Sequence, residues 1–133
     1  MKKRRIIYVD ASTTKKKSKI SLYDTKNKRK KVLELKSVSN NNTAEKYAVL
    51  YAISYIKQNG YKNCHILSDN TSAVDNKKLL KLAYKNKITI SWVPREANTI
   101  ADKLSRSKVN QKTKEVNGLR FLYQLVFKKD KKK

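Results

Sequence analysis

The sequence predicts an α/β domain organised around a mixed sheet, and three observations predict it. Three strand-like segments joined by short polar turns occupy the chain up to Val38. Helical and strand-like segments alternate after that point. The first segment, Ile6-Ile7-Tyr8-Val9, is an unbroken apolar run rich in β-branched residues, as a strand buried on both faces is. It ends on an acid, Asp10, followed by the small residues Ala11 and Ser12.

The first strand spans about Arg5 to Ala11, and Thr13 to Lys17 is a polar turn. Lys19 to Tyr23 alternates, with Ile20 and Leu22 on one face, as a half-solvated strand does. Asp24 to Lys30 is a second turn. Lys31 to Val38 alternates again, with Val32, Val38 and either Leu33 or Leu35 directed inward. These three strands make an antiparallel meander. The run Ser39-Asn40-Asn41-Asn42-Thr43 breaks the pattern, with Thr43 as the expected N-cap.

A helix follows from Ala44 to about Asn59. Tyr47, Leu50, Tyr51, Ser54 and Tyr55 recur at helical spacing, as do Ala48, Ala52 and Ile56, and Gly60 is placed to end the helix. Asn63 to Ser68 is the fourth strand. Asp69-Asn70-Thr71-Ser72 opens a second helix that runs to about Lys85, with Val74, Leu79, Leu80, Leu82 and Ala83 inward. Ile88 to Val93 is the fifth strand, ended by Pro94, and Asn98 is expected to cap a helix carrying Ile100, Ala101 and Leu104. Ser105 to Asn117 is polar and weakly specified, Gly118 to Phe127 suits a closing helix, and Lys128 to Lys133 is a basic tail. The expectation is one domain over residues 1–127 followed by that tail. A strand-helix-strand crossover makes the fourth strand parallel to a strand of the meander, and the first strand is its natural neighbour.

The chain has 133 residues, with 34 Lys and Arg against 10 Asp and Glu, a formal charge of +24. Such a field repels other copies, which favours a monomer, and attracts polyanions. Nucleic acid comes first among these, because phosphate neutralisation releases counterions. An acidic membrane surface comes second. Lys greatly outnumbers Arg and Asn is abundant, so compositional drift also contributes. Cys64 is the only cysteine, which excludes an internal disulfide and a thiolate metal cluster. His65 is the only histidine, so a zinc site or a His-based triad lacks parts. No stretch approaches the roughly 20 apolar residues of a membrane span. The basic start, Met1 to Arg5, precedes too short an apolar run for a secretion signal, and a cytoplasmic protein is expected.

In a chain this poor in acids, the placement of four of them carries information. If the first and fourth strands are parallel neighbours, Asp10 and Asp69 lie side by side at their C-terminal ends, where α/β sheets place ligands. Glu45, expected in the first turn of the first helix, and Asp102, in the helix after the fifth strand, can lean over the same end. Each alone has an ordinary reading. Asp10 suits a strand-end turn, Glu45 a helix N-terminal acid, Asp69 an N-cap and Asp102 surface charge. Together they form a set whose repulsion a divalent metal would relieve. All-oxygen ligands select Mg2+ or Mn2+, and two such ions roughly 4 Å apart activate water and stabilise the leaving oxygen of a phosphodiester. Asp24, Glu34, Asp75, Glu96, Glu115 and Asp130 are read as surface charges.

The segments Ile7-Tyr8-Val9-Asp10-Ala11-Ser12, Asn41-Asn42-Thr43-Ala44-Glu45, Leu67-Ser68-Asp69-Asn70 and Trp92-Val93-Pro94-Arg95-Glu96-Ala97-Asn98-Thr99-Ile100-Ala101-Asp102-Lys103-Leu104 resemble the ribonuclease H family in its compact form. The last segment is the most specific, and the match covers about residues 5 to 107. The resemblance implies a ribonuclease H-like fold, a five-stranded mixed sheet in order 3-2-1-4-5 flanked by helices. It implies two Mg2+ ions, with Mn2+ as a substitute, held by Asp10, Glu45, Asp69 and Asp102 as catalytic and metal ligands. It also implies hydrolysis of the RNA strand of an RNA–DNA hybrid, leaving 5′-phosphate and 3′-hydroxyl ends. Asp10 would bridge both metals, and Glu45 would also lie near the scissile phosphate and the RNA 2′-OH. Ser12, Asn41, Asn42 and Thr71 are the implied substrate-binding residues, the two asparagines in the minor groove of the hybrid.

The chain departs from that family in three places. Ala11 stands where many members have glycine. Only nine residues separate Trp92 from Asp102, with no histidine among them. The direct join from Lys85 to Lys87 leaves no room for the basic protrusion of longer members, and Lys77, Lys78, Lys81, Lys85 and Lys87 are the residues that can form a basic face instead. His65 is read as structural and Trp92 as core. Two other functions stay open: a catalytically silent nucleic-acid-binding domain of the same fold, and a nuclease of this fold acting on duplex RNA or a DNA junction.

Overall fold

Strand β1 (Arg5–Thr13) runs through the middle of a sheet whose core face is set by Ile7 and Val9, both fully buried. The computed structural model describes residues 4–14, 17–36, 38, 40–105 and Tyr123. On one side β1 pairs antiparallel with β2 (Lys17–Asp24), with Val9 opposite Leu22 and Asp10 opposite Ser21. On the other side it pairs parallel with β4 (Cys64–Ser68), with Ile7 opposite Ile66. Beyond β2 lies antiparallel β3 (Arg29–Lys36), and beyond β4 lies parallel β5 (Ile88–Trp92). The sheet is therefore five-stranded and mixed, in the order β3-β2-β1-β4-β5, and helices flank it.

The β2–β3 ladder is longer than the alternation predicts. It starts at the pair Lys17 and Lys36 and closes at Asp24 and Arg29, so the turn shrinks to residues 25–28. This moves Asp24 out of the turn and into the strand. Read from the sequence as a surface charge, Asp24 is fully buried, because Arg5 and the Tyr55 hydroxyl supply the charge and the donor that a buried carboxylate requires. Glu34 is half-buried and paired with Lys17, while Asp75 and Glu96 are exposed as expected.

Helix α1 (Asn41–Asn59) starts three residues before the predicted position. The cap is Asn40, whose Oδ1 accepts from the Thr43 N–H at 3.0 Å, so Thr43 lies inside the helix. Glu45 consequently sits in the second turn. Gly60 takes φ +65°, the left-handed conformation that releases the chain, and its N–H meets the last carbonyls of α1. From Ala44 to Ile56 nearly every side chain is buried, as expected of a helix that is apolar all round. Tyr47 stacks on Tyr123, with ring centroids 4.4 Å apart. Tyr123 is helical, and the remainder of the closing segment and the basic tail lie outside the described residues.

The predicted second helix is two helices, α2 (Thr71–Val74) and α3 (Lys77–Lys85). Asp75 and Asn76 divide them. Both favour caps because their side chains compete for backbone N–H groups, and Asn76 accepts from the Leu79 N–H at 3.0 Å. Leu79 and Ala83 face the core, but Leu80 is 39% exposed because it falls on the outer face of so short a helix. A 3-10 turn over Arg95–Ala97 leads to α4 (Thr99–Ser105), where Ala101 is buried and Ile100 is 41% exposed. Trp92, read as core, is 49% exposed. It ends an edge strand, and its indole N–H bonds the Asp69 carbonyl instead of packing under a helix. Among the described residues no helix is long and apolar enough to cross a membrane.

Candidate metal centre

The parallel register of β1 and β4 decides the site. Tyr8 pairs with Leu67, so Asp10 and Asp69 each lie two residues beyond the last parallel pair, where β1 and β4 part. Glu45 reaches them from α1. Oxygen atoms of Asp10, Glu45 and Asp69 lie within 4.8 Å of one another. Asp10 and Glu45 are buried, 1% and 2% exposed, and Asp69 is half-buried. Three of the four predicted acids are thus brought together. Asp102 falls on α4, which packs against β1 and β2, and its side chain lies outside the described residues.

Electrostatics make this an unfavourable place for three charges. Burial, the charges of Asp10 and Asp69 and a hydrogen bond with Asp10 push the Glu45 carboxyl up to about 9, with Arg95 opposing. Without a cation the cluster keeps a proton on Glu45. Glu45 Oε1 is also buried with no hydrogen-bond partner among the described residues. A bound divalent cation would give that oxygen a partner. The donor set is carboxylate oxygen alone, which suits a hard divalent cation.

The predicted substrate-binding residues lie within four residues of a cluster acid along the chain. Asn41 and Asn42 are exposed in the first turn of α1. Asn41 Oδ1 accepts from the Thr13 hydroxyl at 3.2 Å, and Asn42 Oδ1 accepts from Asn70 Nδ2 at 3.4 Å. Both use their carbonyl oxygens, which leaves their amide N–H groups to donate elsewhere. Ser12 lines a hollow of about 240 Å3 with Thr14, Lys17, Ser18 and Lys19. Thr71 is exposed at the start of α2, whose cap is Asn70, accepting from the Ala73 N–H at 2.8 Å. Asp69 is therefore not a cap and keeps its carboxylate for the cluster. His65, which lies on β4, bonds Ser91 at 2.7 Å, and burial and the neighbouring Arg4 lower its pKa.

Sequence reasoning missed Asn98 and Ser21. Asn98, read as a helix cap, is 1% exposed and donates through Nδ2 to the Val9 carbonyl at 2.8 Å and to Asp69 Oδ2 at 3.3 Å. Its Oδ1, the atom a cap would use, has no partner among the described residues. Ser21 is fully buried and donates to the Ala101 carbonyl at 2.6 Å. The alternating pattern of β2 places Ser21 in the sheet, but nothing in that pattern says which carbonyl it serves.

No protein-family model and no curated protein matches the sequence. Solved structures do match. LC11-RNase H1, isolated from compost, superimposes with a TM-score of 0.62 over 77% of this chain and 93% of its own, at 18% identity. The N-terminal RNase H domain of a Mycobacterium tuberculosis protein matches with a TM-score of 0.58 over 90% of this chain and 97% of its own, at 17% identity. LC11-RNase H1 in complex with an RNA/DNA hybrid matches with a TM-score of 0.58 over 80% and 97%, at 16% identity. At this level of identity the likeness establishes the fold: the chain has the ribonuclease H fold, with its strand order and its flanking helices.

Proposed function

We propose that this chain is a ribonuclease H, a metal-dependent endonuclease that hydrolyses the RNA strand of an RNA–DNA hybrid and leaves 5′-phosphate and 3′-hydroxyl ends. One observation carries the reading: Asp10, Glu45 and Asp69 meet at the end of the parallel strand pair of this fold. The hybrid bound by LC11-RNase H1 supports the substrate, and the charge of +24 suits a polyanion. Asp102 completes the ligand set as the fourth acid.

Two Mg2+ ions, or Mn2+ in their place, would supply an activated water and stabilise the departing 3′ oxygen. The chain's own residues do the rest. Asp10, Glu45, Asp69 and Asp102 would hold the cations, and the burial of Asp10 and Glu45 would limit the access of bulk water to them. Asn41 and Asn42 donate to acceptors in the minor groove of the hybrid, where base edges offer N3 and O2. Ser12 and Thr71 flank them, and the RNA 2′-OH distinguishes the strand to be cut. A silent nucleic-acid-binding domain would need the charge but not the cluster. Acids gathered against their own repulsion weigh against it.

The test is cleavage of an end-labelled RNA–DNA hybrid with Mg2+, beside duplex RNA, duplex DNA and single strands. The expected result is cutting confined to the RNA of the hybrid and lost in Asp10→Asn. Tight binding without cutting in either metal would favour the silent domain, and cutting of duplex RNA alone would change the substrate.

A further inference from the structure

Asn98 lies where β1, β4 and the start of α4 meet, and the chemistry of its partners fixes its orientation. The Val9 carbonyl, 2.8 Å away, and the Asp69 carboxylate, 3.3 Å away, can only accept. The atom facing them is therefore nitrogen. Ser21 forms a second tie, donating to the Ala101 carbonyl at 2.6 Å from a position 3.5 Å from the Asp10 carbonyl. The two side chains thus join α4 and its start to the interior of β1 and β2 beside Asp10, and to Asp69, with Ala101 one residue before Asp102. Both are at most 1% exposed, where an apolar residue would avoid the penalty of burying polar atoms.

We propose that Asn98, seconded by Ser21, is a positioning residue for the acid cluster. It holds the Asp69 carboxylate beside Asp10 and Glu45 and fixes the helix that bears Asp102 before any cation arrives. This inference rests on the proposed metal-dependent reading. A neutral amide suits the task. It donates to Asp69 without cancelling the negative charge that attracts a cation, as Lys or Arg would. Its bond to Oδ2 leaves Oδ1 of Asp69 to ligate.

The experiment titrates the full chain with Mn2+ alone by calorimetry, comparing the parent with Asn98→Ala, Asn98→Ser, Ser21→Ala and Tyr55→Phe. Circular dichroism monitors folding, and hybrid cleavage is measured in parallel. Residues that orient metal ligands typically change metal affinity about 10- to 100-fold, and that loss is expected for Asn98→Ala and Ser21→Ala. Asn98→Ser, which keeps one donor, should recover part of it. Tyr55→Phe weakens the fold away from the cluster and should bind as the parent does. If Asn98→Ala does not fold, Asn98→Ser and Ser21→Ala decide by the same criterion. Unchanged affinity in folded Asn98 and Ser21 variants overturns the inference, and so does an equal loss in Tyr55→Phe. A parent that neither binds Mn2+ nor cuts hybrid overturns the metal-dependent reading with it.

Discussion

The Tyr55 hydroxyl donates a 2.6 Å hydrogen bond to the Asp24 carboxylate, tying the C-terminal half of α1 to the end of β2. The same carboxylate is paired with Arg5, whose guanidinium lies 3.4 Å over the Tyr61 ring. Burial, and then this bond, push the Tyr55 hydroxyl above its ordinary value. Asp24 pairs with Ile7, three residues before Asp10 on β1. The protein thus has two buried acidic places, one neutralised by Arg5 and one where three acids gather.

The neutralised place should govern stability. Asp24→Asn leaves Arg5 largely buried without its partner, and breaking such a pair costs about 3–5 kcal/mol. Tyr55→Phe removes one bond to a charged group, worth about 1.5–3 kcal/mol. Urea unfolding checks both, with the larger fall in midpoint expected for Asp24→Asn. A midpoint unchanged in both would mean that the network contributes no net stability.

The other place should set the pH response of the metal-free protein. Glu45 keeps its proton to about pH 9 in the folded state, against an ordinary value of 4.5. Between these values the folded chain holds a proton that the unfolded chain has released, so stability falls as pH rises. The contribution is fully present below about pH 4.5 and lost on passing about pH 9. Thermal melts in chelator across this window should slope downward, and Glu45→Gln should flatten the slope. A Glu45→Gln profile parallel to that of the parent would remove Glu45 as the cause.

A smaller effect is expected at α3. Asn76 caps it, and the first turn carries Lys77 and Lys78 with no acid. Asn76→Ala should cost about 1 kcal/mol of stability. Asn76→Asp keeps the cap and adds a favourable charge at a positive helix end, a gain of about 0.3–1 kcal/mol that salt diminishes. Thermal unfolding at low and high salt distinguishes the two contributions.

What the sequence made legible follows from how local each signal was. Ile6 to Val9 announce β1 by composition, Gly60 announces the end of α1, and an acid just beyond the apolar run of each of two parallel strands announces the cluster. Asp24 was hidden because its partners, Arg5 and Tyr55, are 19 and 31 residues away, and an acid among turn formers looks solvated. The cap of α1 was misplaced because Asn40 and Thr43 are both good caps, and only backbone geometry chooses between them. Asn98 looked like a cap because it directly precedes α4, but its nitrogen lies between two acceptors. Trp92 looked like core because its size usually demands burial, but an edge strand has one open side.

In the order β3-β2-β1-β4-β5, β3 is an outer strand of the sheet among the described residues. Outer strands are where the sheets of two molecules can meet edge to edge. Here β3 carries Arg29, Lys30 and Lys31, while Val32, Leu33 and Leu35 are tucked into the protein. A second copy approaching edge-on would have to crowd like charges together to zip its backbone onto this one. The lysine surplus that suits the chain to a polyanion therefore also opposes fibril-like growth from the sheet rim, and salt that screens one effect screens the other.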